Sequence, residues 1–193
     1  MAHSQRTCGD LLLEATSLTS IDSNAQSAAG NELVVRSACP DDLAAIRAVH
    51  QRALGPGRYA LTAYRVREGT QTFSPYCQVA ISNGALVGAL RFTPILVGGD
   101  AGAILLGPLA VAPDRANTGI GRELIEAGIA AARADGVQLI ILVGDMAYYG
   151  RFGFVQVPQF RMTFPGPVNP ARILALETVP GALEKFSGPL TAA

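Results

Sequence analysis

The chain has 193 residues, enough for one domain of ordinary size, and its 49% apolar and 16% charged residues exclude a chain that is disordered throughout. Its 15 Lys and Arg residues balance 15 Asp and Glu residues, so that no basic excess points to nucleic-acid binding. No apolar run approaches the ~20 residues that a membrane-spanning helix needs, and we therefore expect a cytoplasmic protein that binds neither nucleic acid nor membrane.

The N-terminal segment differs in composition from the rest of the chain. Residues 1–31 are rich in Ser, Thr, Ala and Asn and have no sustained periodicity, so we predict a loose tail there. No internal repeat and no second domain boundary interrupts residues 32–193, which predicts a single domain. The sequence leaves the oligomeric state open, with a homodimer as one option.

The first part of the domain is predicted to hold one strand and two helices. The strand covers residues 33–36. Pro40 and the two carboxylates after it open a helix, because proline suits the first turn and negative charge favours the positive end of the helix dipole. The Gly-Pro-Gly run at 55–57 ends this helix, and a shorter helix is predicted within residues 58–67.

Three antiparallel strands are predicted next. The first two, over residues 78–82 and 85–92, are joined by Asn83-Gly84, which is a strong signal for a tight hairpin turn. A second reversal at 98–100 leads into a strand over residues 103–111.

The periodicity then changes from that of strands to that of a helix. The apolar or small residues at helical spacing are Leu124, Ile125, Gly128, Ile129 and Ala132. Asp135-Gly136 ends this helix, and the continuous apolar run at 139–143 predicts a buried strand parallel to the strand at 103–111. Two further strands are predicted over 154–157 and 173–178. We therefore expect an α/β (α+β) fold in which a mixed sheet has antiparallel N-terminal strands, a parallel central pair and helices on both faces.

A proline inside the strand at 103–111 indicates an irregularity. Pro108 cannot donate to a strand ladder, and with Gly107 beside it a β-bulge is the favoured interpretation. A bulge would part this strand from the strand at 139–143. The backbone groups of residues 109–111 would then be able to pair with an extended ligand. The alternative is that Pro108 only ends a short edge strand.

The turn at residues 115–121 lies directly before the helix and contains two glycines. Unpaired N–H groups and the dipole at a helix N-terminus attract anions, and glycines let the backbone approach them closely. Arg115 or Arg122 could add charge-assisted contacts to a phosphate. No Gly-Lys-Ser/Thr follows, which excludes a P-loop, and the third glycine of a dinucleotide-binding motif is missing. An ordinary glycine-containing loop is the alternative.

The cysteines and histidines do not suggest metal chemistry. Cys8, Cys39 and Cys77 are far apart with no C-x-x-C spacing, and His3 and His50 are the only histidines. We therefore predict no metal site and expect free thiols in a reducing cytoplasm.

Two motifs in this order resemble the GNAT superfamily of acetyl-CoA-dependent N-acetyltransferases. Residues 116–121 (A-N-T-G-I-G) are similar to the family's Q/R-x-x-G-x-G/A signature, with Ala116 where Gln or Arg is usual. Residues 147–154 (A-Y-Y-G-R-F-G-F) are similar to a shortened form of its A-x-x-F-Y-x-K-x-G-F region. The likeness extends over about residues 33–183 and is greatest to the bacterial YhbS-type predicted acetyltransferases.

The resemblance implies transfer of an acetyl group from acetyl-CoA to a primary amine of a small molecule or peptide, by direct attack of the amine. It implies Tyr149 as the general acid, or as a cofactor contact only, and the backbone N–H of Ala110 or its neighbour as an oxyanion donor. The implied acetyl-CoA contacts are Leu109, Ala110, Val111, Arg115, Ala116, Asn117, Thr118, Gly119, Ile120, Gly121, Arg122 and Tyr149.

The general base and the acceptor are less defined. Glu68 and Asp145 are candidate general bases, and a chain of water molecules that takes the proton is an equally favoured alternative. Asp145 also suits a helix N-cap. The segment that holds Tyr59, Tyr64, Arg65, Arg67 and Glu68 is expected to border the acceptor pocket and could select a carboxylate-bearing acceptor, whereas an ordinary solvated helix face is the favoured alternative. Two alternative functions remain: a non-catalytic module that binds or senses acyl-CoA, and a transferase for a longer acyl chain.

Overall fold

A computed structural model describes residues 32–56 and 62–193. The predicted tail at residues 1–31 and the first part of the predicted helix at 58–67 lie outside the described residues.

The described chain forms nine strands and five helices, together with four single 3₁₀ turns. The strands are β1 (Leu33–Ser37), β2 (Gln78–Ser82), β3 (Ala85–Val97), β4 (Asp100–Val111), β5 (Leu139–Val143), β6 (Val155–Gln156), β7 (Met162–Thr163), β8 (Ile173–Glu177) and β9 (Gly188–Ala192). The helices are α1 (Leu43–Leu54), α2 (Thr62–Val66), α3 (Ile120–Ala134), α4 (Met146–Tyr149) and α5 (Ala182–Lys185). The 3₁₀ turns are Pro40–Asp42, Pro113–Arg115, Gly150–Phe152 and Pro170–Arg172.

The strands form one mixed sheet in the order β1-β2-β3-β4-β5-β8-β6. Neighbours along this path are antiparallel except for β4 and β5, which run parallel. Strand β9 pairs with the last residues of β3 and with β7. The predicted mixed sheet with a parallel central pair is therefore confirmed.

Helices cover both faces of the sheet. On one face, Leu124 and Ile125 of α3 pack in a buried cluster with Phe92 and Ile140. On the other face, Val66, the last residue of α2, belongs to a second cluster with side chains of β4, β5 and β8. Successive strand residues point to opposite faces, so the apolar runs of β4 and β5 supply both clusters, as expected for strands covered on both sides.

Most predicted elements are present, and the differences have physical reasons. The hairpin turn at Asn83-Gly84 has positive φ at both residues (50° and 75°), as a tight primed turn requires. Strand β3 runs past the predicted end at residue 92 because β4 pairs with it on one edge and β9 pairs with residues 95–97 on the other. Strand β9, with α5 before it, was not predicted, because four residues are too few for a helical period and Pro189 interrupts the strand pattern.

The start of α1 depends on one carboxylate. Asp42 accepts two hydrogen bonds of 2.7 Å from Arg36 and one of 2.9 Å from the backbone N–H of Cys39. The hydrogen bonds from Arg36 are the largest cause of a pKa of Asp42 below its usual value. This ion pair joins β1 to the entry of α1, so it fixes where that helix leaves the sheet.

We predict that Gly128→Ala destabilises the protein, although alanine is the better helix former. A Cβ at position 128 would overlap the ring of Phe92, which is 1% exposed. Overpacking costs about 1–3 kcal/mol, whereas the gain in helix propensity is about 1 kcal/mol. Urea denaturation should therefore give a net loss on the order of 1 kcal/mol.

The matched control is the double variant Gly128→Ala/Phe92→Leu. A smaller side chain at position 92 removes the overlap, so the double variant should lose less free energy of unfolding than the sum of the two single variants. Strict additivity would contradict this account of the contact.

Candidate active site

A bulge in β4 is the first element of the site. Leu90 of β3 pairs with Leu109, and Phe92 pairs with Leu106, so that Gly107 and Pro108 together stand opposite Arg91 alone. Two residues opposite one is the arrangement of a β-bulge, which bends the bulged strand and increases its twist. The bulge predicted at Gly107-Pro108 is confirmed, and the alternative of a strand that simply ends there is wrong.

Strands β4 and β5 part at this bulge. Their parallel pairing covers three residue pairs and ends at Leu105 opposite Ile141. Strand β4 nevertheless continues to Val111, where it is paired with β3 only. We call the opening between residues 106–111 of β4 and the end of β5 the gap.

The alternation of the β3–β4 ladder decides which backbone groups face the gap. The N–H of Ala112 donates to the carbonyl of Val87 at 2.8 Å, and this pair continues the register in which Ala110 stands opposite Ala89. Backbone groups alternate in direction along an antiparallel strand, so Ala110 also directs its N–H toward β3. The N–H groups of Leu109 and Val111 then point into the gap.

A tight loop leads from β4 to α3. The N–H of Ala116 donates to the carbonyl of Pro113 at 3.3 Å, and the hydroxyl of Thr118 donates to the carbonyl of Arg115 at 2.7 Å. Asn117 and Gly119 have φ angles of 62° and 90°. The N–H of Arg122 donates to the carbonyl of Gly119 at 2.9 Å, whereas the N–H groups of residues 117–121 have no backbone acceptor among the described residues and are available at the positive end of the helix.

The two arginines of this region are placed differently. Arg115 is about one-third exposed and its Nε lies 3.9 Å from Asp114 Oδ2. Arg122 is mostly exposed and its Nε lies 2.8 Å from Glu126 Oε1, one turn along α3. Both side chains lie at the helix entrance, and the exposed ion pair of Arg122 is of the weak kind that a bound phosphate can displace.

Tyr149 lies at the end of α4, directly after β5. Its ring is 4.9 Å from the ring of Tyr148 and 5.8 Å from that of Phe154, in both cases edge to face. The ring also lies against Gly144, where a Cβ would overlap it. Burial, with a smaller contribution from Tyr148, raises the pKa of Tyr149 to about 12, so this phenol keeps its proton at neutral pH. Sequence reasoning missed Gly144, which carried no signal beyond its position before α4.

Tyr148 reaches across to the start of α3. Its hydroxyl oxygen lies 3.0 Å from the point that a Cβ of Gly121 would occupy, and the side chains of Leu109 and Val111 lie within 3.8 Å of the same point. The guanidinium carbon of Arg151 lies over this ring, 4.4 Å from its centroid. Tyr148 therefore belongs to the wall where the gap meets the helix entrance.

A cavity of about 220 Å³ opens at the bulged end of the gap. It is lined by Leu54, Tyr64, Arg67, Leu106, Gly107, Pro108, Leu109, Leu142, Val143 and Tyr149. The lining thus joins the bulge, the end of β5 and Tyr149 to residues from the region of α1 and α2. Tyr64 and Arg67, from the segment expected to border the acceptor pocket, face this cavity.

The other residues of that segment do not line the cavity. Arg65 and Glu68 are exposed, and Tyr59 lies outside the described residues. Asp145 is exposed and its Oδ1 lies 3.3 Å from Nε of Arg172. Its carbonyl accepts the N–H groups of Tyr148 and Tyr149 at the start of α4, so it occupies the N-cap position, but its side chain does not cap the helix. Neither candidate base is therefore in the cavity wall.

Within residues 32–56 and 62–193, no group of three or more His, Cys, Asp or Glu side chains could hold a metal ion. Cys39 and Cys77 form no disulfide in the described part of the chain, and Cys77 is buried. Of the helices in the described part of the chain, none combines the length and the apolar character needed to cross a membrane.

Comparison with known proteins identifies the family. The model of the acetyltransferase (GNAT) family matches residues 43–154, more than half of the chain, and the chain therefore belongs to that family. The uncharacterized N-acetyltransferase YjhQ of Escherichia coli is 33% identical over 116 residues, which are 58% of this chain and 64% of YjhQ. The match to YjhQ thus spans just under two-thirds of that relative's length. The uncharacterized N-acetyltransferase YhbS of E. coli is 29% identical over 124 residues, which are 63% of this chain and 73% of YhbS.

Solved structures show the same fold. The crystal structure of YhbS from E. coli in complex with CoA matches with a TM-score of 0.73 at 23% identity, over 88% of this chain and 94% of that one. The crystal structure of a GNAT family acetyltransferase from Brucella melitensis in complex with acetyl-CoA matches with a TM-score of 0.64 at 29% identity, over 85% and 97% of the two chains. The resemblance found in the sequence motifs is confirmed.

We predict that Tyr149 makes stability fall at alkaline pH. Its pKa is about 12 in the folded protein and about 10 in an unfolded chain, so its stabilising effect is complete below pH ~10 and is lost as the pH rises toward 12. Between pH ~9 and ~11, wild type should lose about 1 kcal/mol more free energy of unfolding than Tyr149→Phe. Chemical denaturation at both pH values measures this, and a difference that does not change with pH would refute the raised pKa.

Proposed function

We propose that this protein is an acetyl-CoA-dependent N-acetyltransferase with a small amine as acceptor. The observation that carries the proposal is the parting of β4 from β5 at the Gly107-Pro108 bulge, with Tyr149 on the wall of the cavity at that point. The crystal structures of YhbS with CoA and of the Brucella protein with acetyl-CoA support the choice of donor, because both share this fold.

The donor is proposed to lie in the gap. The N–H groups of Leu109 and Val111 point into it, so the extended pantetheine arm can pair with β4 where β5 has left. The diphosphate is proposed to bind the backbone N–H groups of residues 117–121, with charge from Arg115 and Arg122. The N–H of Ala116 already donates within its turn, so that residue would contact the donor through other atoms.

The reaction requires one bond to form and one to break. The neutral amine nitrogen attacks the thioester carbonyl carbon, the carbon–sulfur bond breaks, and CoA leaves as a thiolate while the nitrogen loses a proton. Negative charge develops on the carbonyl oxygen, and a fixed N–H aimed at it stabilises the transition state. We propose the N–H of Leu109, the neighbour of Ala110, for this role, since the N–H of Ala110 is directed to β3.

Tyr149 is proposed to donate a hydrogen bond to the leaving sulfur. A free thiol has a pKa of about 8.5, which is lower than the pKa of about 12 of this phenol. Complete proton transfer from Tyr149 to the thiolate is therefore uphill, whereas a hydrogen bond to the developing negative charge is favourable. The high pKa ensures that the hydroxyl proton is present whenever the donor binds.

Solvent is proposed to take the proton from the acceptor. The described residues that line the cavity include no Asp or Glu, and Glu68 and Asp145 are both exposed. A neutral amine would then be selected from the protonated pool, and the rate should rise with pH up to the pKa of the bound amine. The absence of a disulfide at Cys39 and Cys77, among the residues that the structure describes, is compatible with the cytoplasm as the proposed location.

We predict that Tyr149→Phe lowers kcat by about 10²–10³-fold while the affinity for acetyl-CoA changes little, because the hydroxyl donates to charge that develops in the transition state. Free-thiol release with a panel of primary amines gives kcat, and calorimetry gives the affinity. Tyr76→Phe is the matched control, since the hydroxyl of Tyr76 donates to Asp135 and does not line the cavity.

The same assay separates the alternatives. Binding of acetyl-CoA without turnover of any amine would support a non-catalytic sensing module, and tighter binding with faster turnover of longer acyl-CoAs would support a longer-chain transferase. Equal kcat in wild type and Tyr149→Phe would remove Tyr149 from the reaction.

We predict that S-acetylpantetheine, which lacks the diphosphate and the nucleotide, binds at least about tenfold more weakly than acetyl-CoA, because hydrogen bonds to charged groups contribute about 1.5–3 kcal/mol. The affinity for acetyl-CoA should also fall as salt concentration rises, while that for S-acetylpantetheine should not. Calorimetry at low and high salt measures both, and equal affinities would exclude an anion site at the entrance of α3.

A further inference from the structure

Arg67 is a buried cation without a counter-ion among the described residues. It is 6% exposed, its Nε has no hydrogen-bond partner in the described part of the chain, and none of the ion pairs found there includes it. Its contact with Tyr64 is through the ring face, at 5.5 Å from guanidinium carbon to ring centroid. A charge in such a place is costly unless a partner of opposite charge reaches it.

The surroundings of Arg67 increase this demand. Burial and the nearby charge of Arg91 lower the pKa of Arg67 to about 10, so it is still a cation at neutral pH. Arg91 donates to the hydroxyl of Thr70 at 3.0 Å and to the carbonyl of Gln71 at 2.8 Å, both uncharged acceptors. Arg91 therefore adds positive charge near Arg67 without lining the cavity itself, and the described residues that do line the cavity include no carboxylate.

Arg67 stands beside the group that we propose to hold the thioester oxygen. The point that a Cβ of Gly107 would occupy lies 3.4 Å from Arg67 Nη2 and 4.0 Å from the backbone nitrogen of Leu109. Arg67 Nη2 and the nitrogen of Leu109 therefore both border the bulge at Gly107, and the guanidinium would lie near the carbonyl group of a donor held by Leu109. An anion on Arg67 would be only a few bonds away from the attacking amine.

We propose that Arg67 binds the carboxylate of the acceptor, so that the substrates are small amino acids whose amine and carboxylate are separated by one or two carbons. This inference rests on the proposed acetyltransferase function. The guanidinium fork suits a carboxylate, which can accept two parallel hydrogen bonds. The cavity, about 220 Å³, is smaller than the about 300–1,000 Å³ of sites for drug-sized ligands, and its apolar wall suits a small side chain.

The test compares matched acceptors on wild-type protein and on Arg67→Gln. The acceptor pairs are alanine with alaninamide, leucine with leucinamide, and phenylalanine with phenylalaninamide, assayed by CoA release from acetyl-CoA. Wild type should prefer the carboxylate of each pair by about 10- to 100-fold in kcat/KM, at least for the pair that fits the cavity. The amide has the lower ammonium pKa and therefore more neutral amine, so this preference would act against the intrinsic reactivity.

In Arg67→Gln the ratio of kcat/KM between acid and amide should fall to about 1, while the variant still acetylates the amides. Arg67→Lys should keep part of the preference, because it keeps the charge but not the fork. Arg65→Gln is the matched control, since Arg65 is an exposed arginine of α2, two residues before Arg67, and does not line the cavity. Loss of folding is not expected in Arg67→Gln because the substitution removes an unpaired buried charge, and its melting temperature checks this.

The outcomes are distinct. No preference for carboxylates in wild type, or the same preference in Arg67→Gln, overturns the inference and leaves the acetyltransferase proposal standing. An equal loss on acids and amides in Arg67→Gln overturns it in favour of a contact between Arg67 and the donor. Acetyl-CoA binding without acetylation of any amine overturns both proposals together.

Discussion

Two residues of β4 stand opposite one residue of β3 at Gly107 and Pro108, and the site depends on that mismatch. A regular ladder would keep β4 beside β5 beyond Leu105, and the backbone N–H groups of Leu109 and Val111 would be used within the sheet. The bulge bends β4 away and frees them. Because Pro108 has no N–H, the bulged segment also has one donor fewer to satisfy.

The sheet tolerates an opening at its centre because each side of the gap is held from outside. Strand β4 stays paired with β3 as far as Val111, and β5 is paired with β8 along its whole length, from Leu139 to Val143. The residues at the base of the gap are fully buried, with Leu105 and Ile141 at 0% exposed. Two well-packed walls therefore meet at a closed base, which is the geometry that a preorganised cleft needs.

Local patterns were sufficient to predict the elements that build the cleft. The hairpin at Asn83-Gly84, the bulge at Pro108 and the helix that begins at Ile120 each carry their signal within a few neighbouring residues. The choice between Ala110 and Leu109 as a gap-facing donor could not be made from the sequence, because it depends on the register between β3 and β4. Arg67 and Gly107 are 40 positions apart, and only the folded chain brings them together. Short elements such as α5 lack the length for any period to be visible.

Two other arginines of this chain have a carboxylate partner of the kind that Arg67 does not have among the described residues. Arg36, which is partly buried, has the carboxylate of Asp42 at 2.7 Å on both of its terminal nitrogens, and exposed arginines such as Arg122 find a carboxylate one turn away. Arg67 is more buried than either and has Tyr64 and Arg91 instead. No carboxylate among the described residues reaches this buried guanidinium, which leaves its charge available to an anionic ligand. Departures of this kind from the rules of stable packing concentrate at functional sites, where the missing partner arrives with the ligand. Arg67 and Leu109 line the same cavity beside the bulge. The buried guanidinium and a backbone N–H that faces the gap are therefore available to one ligand.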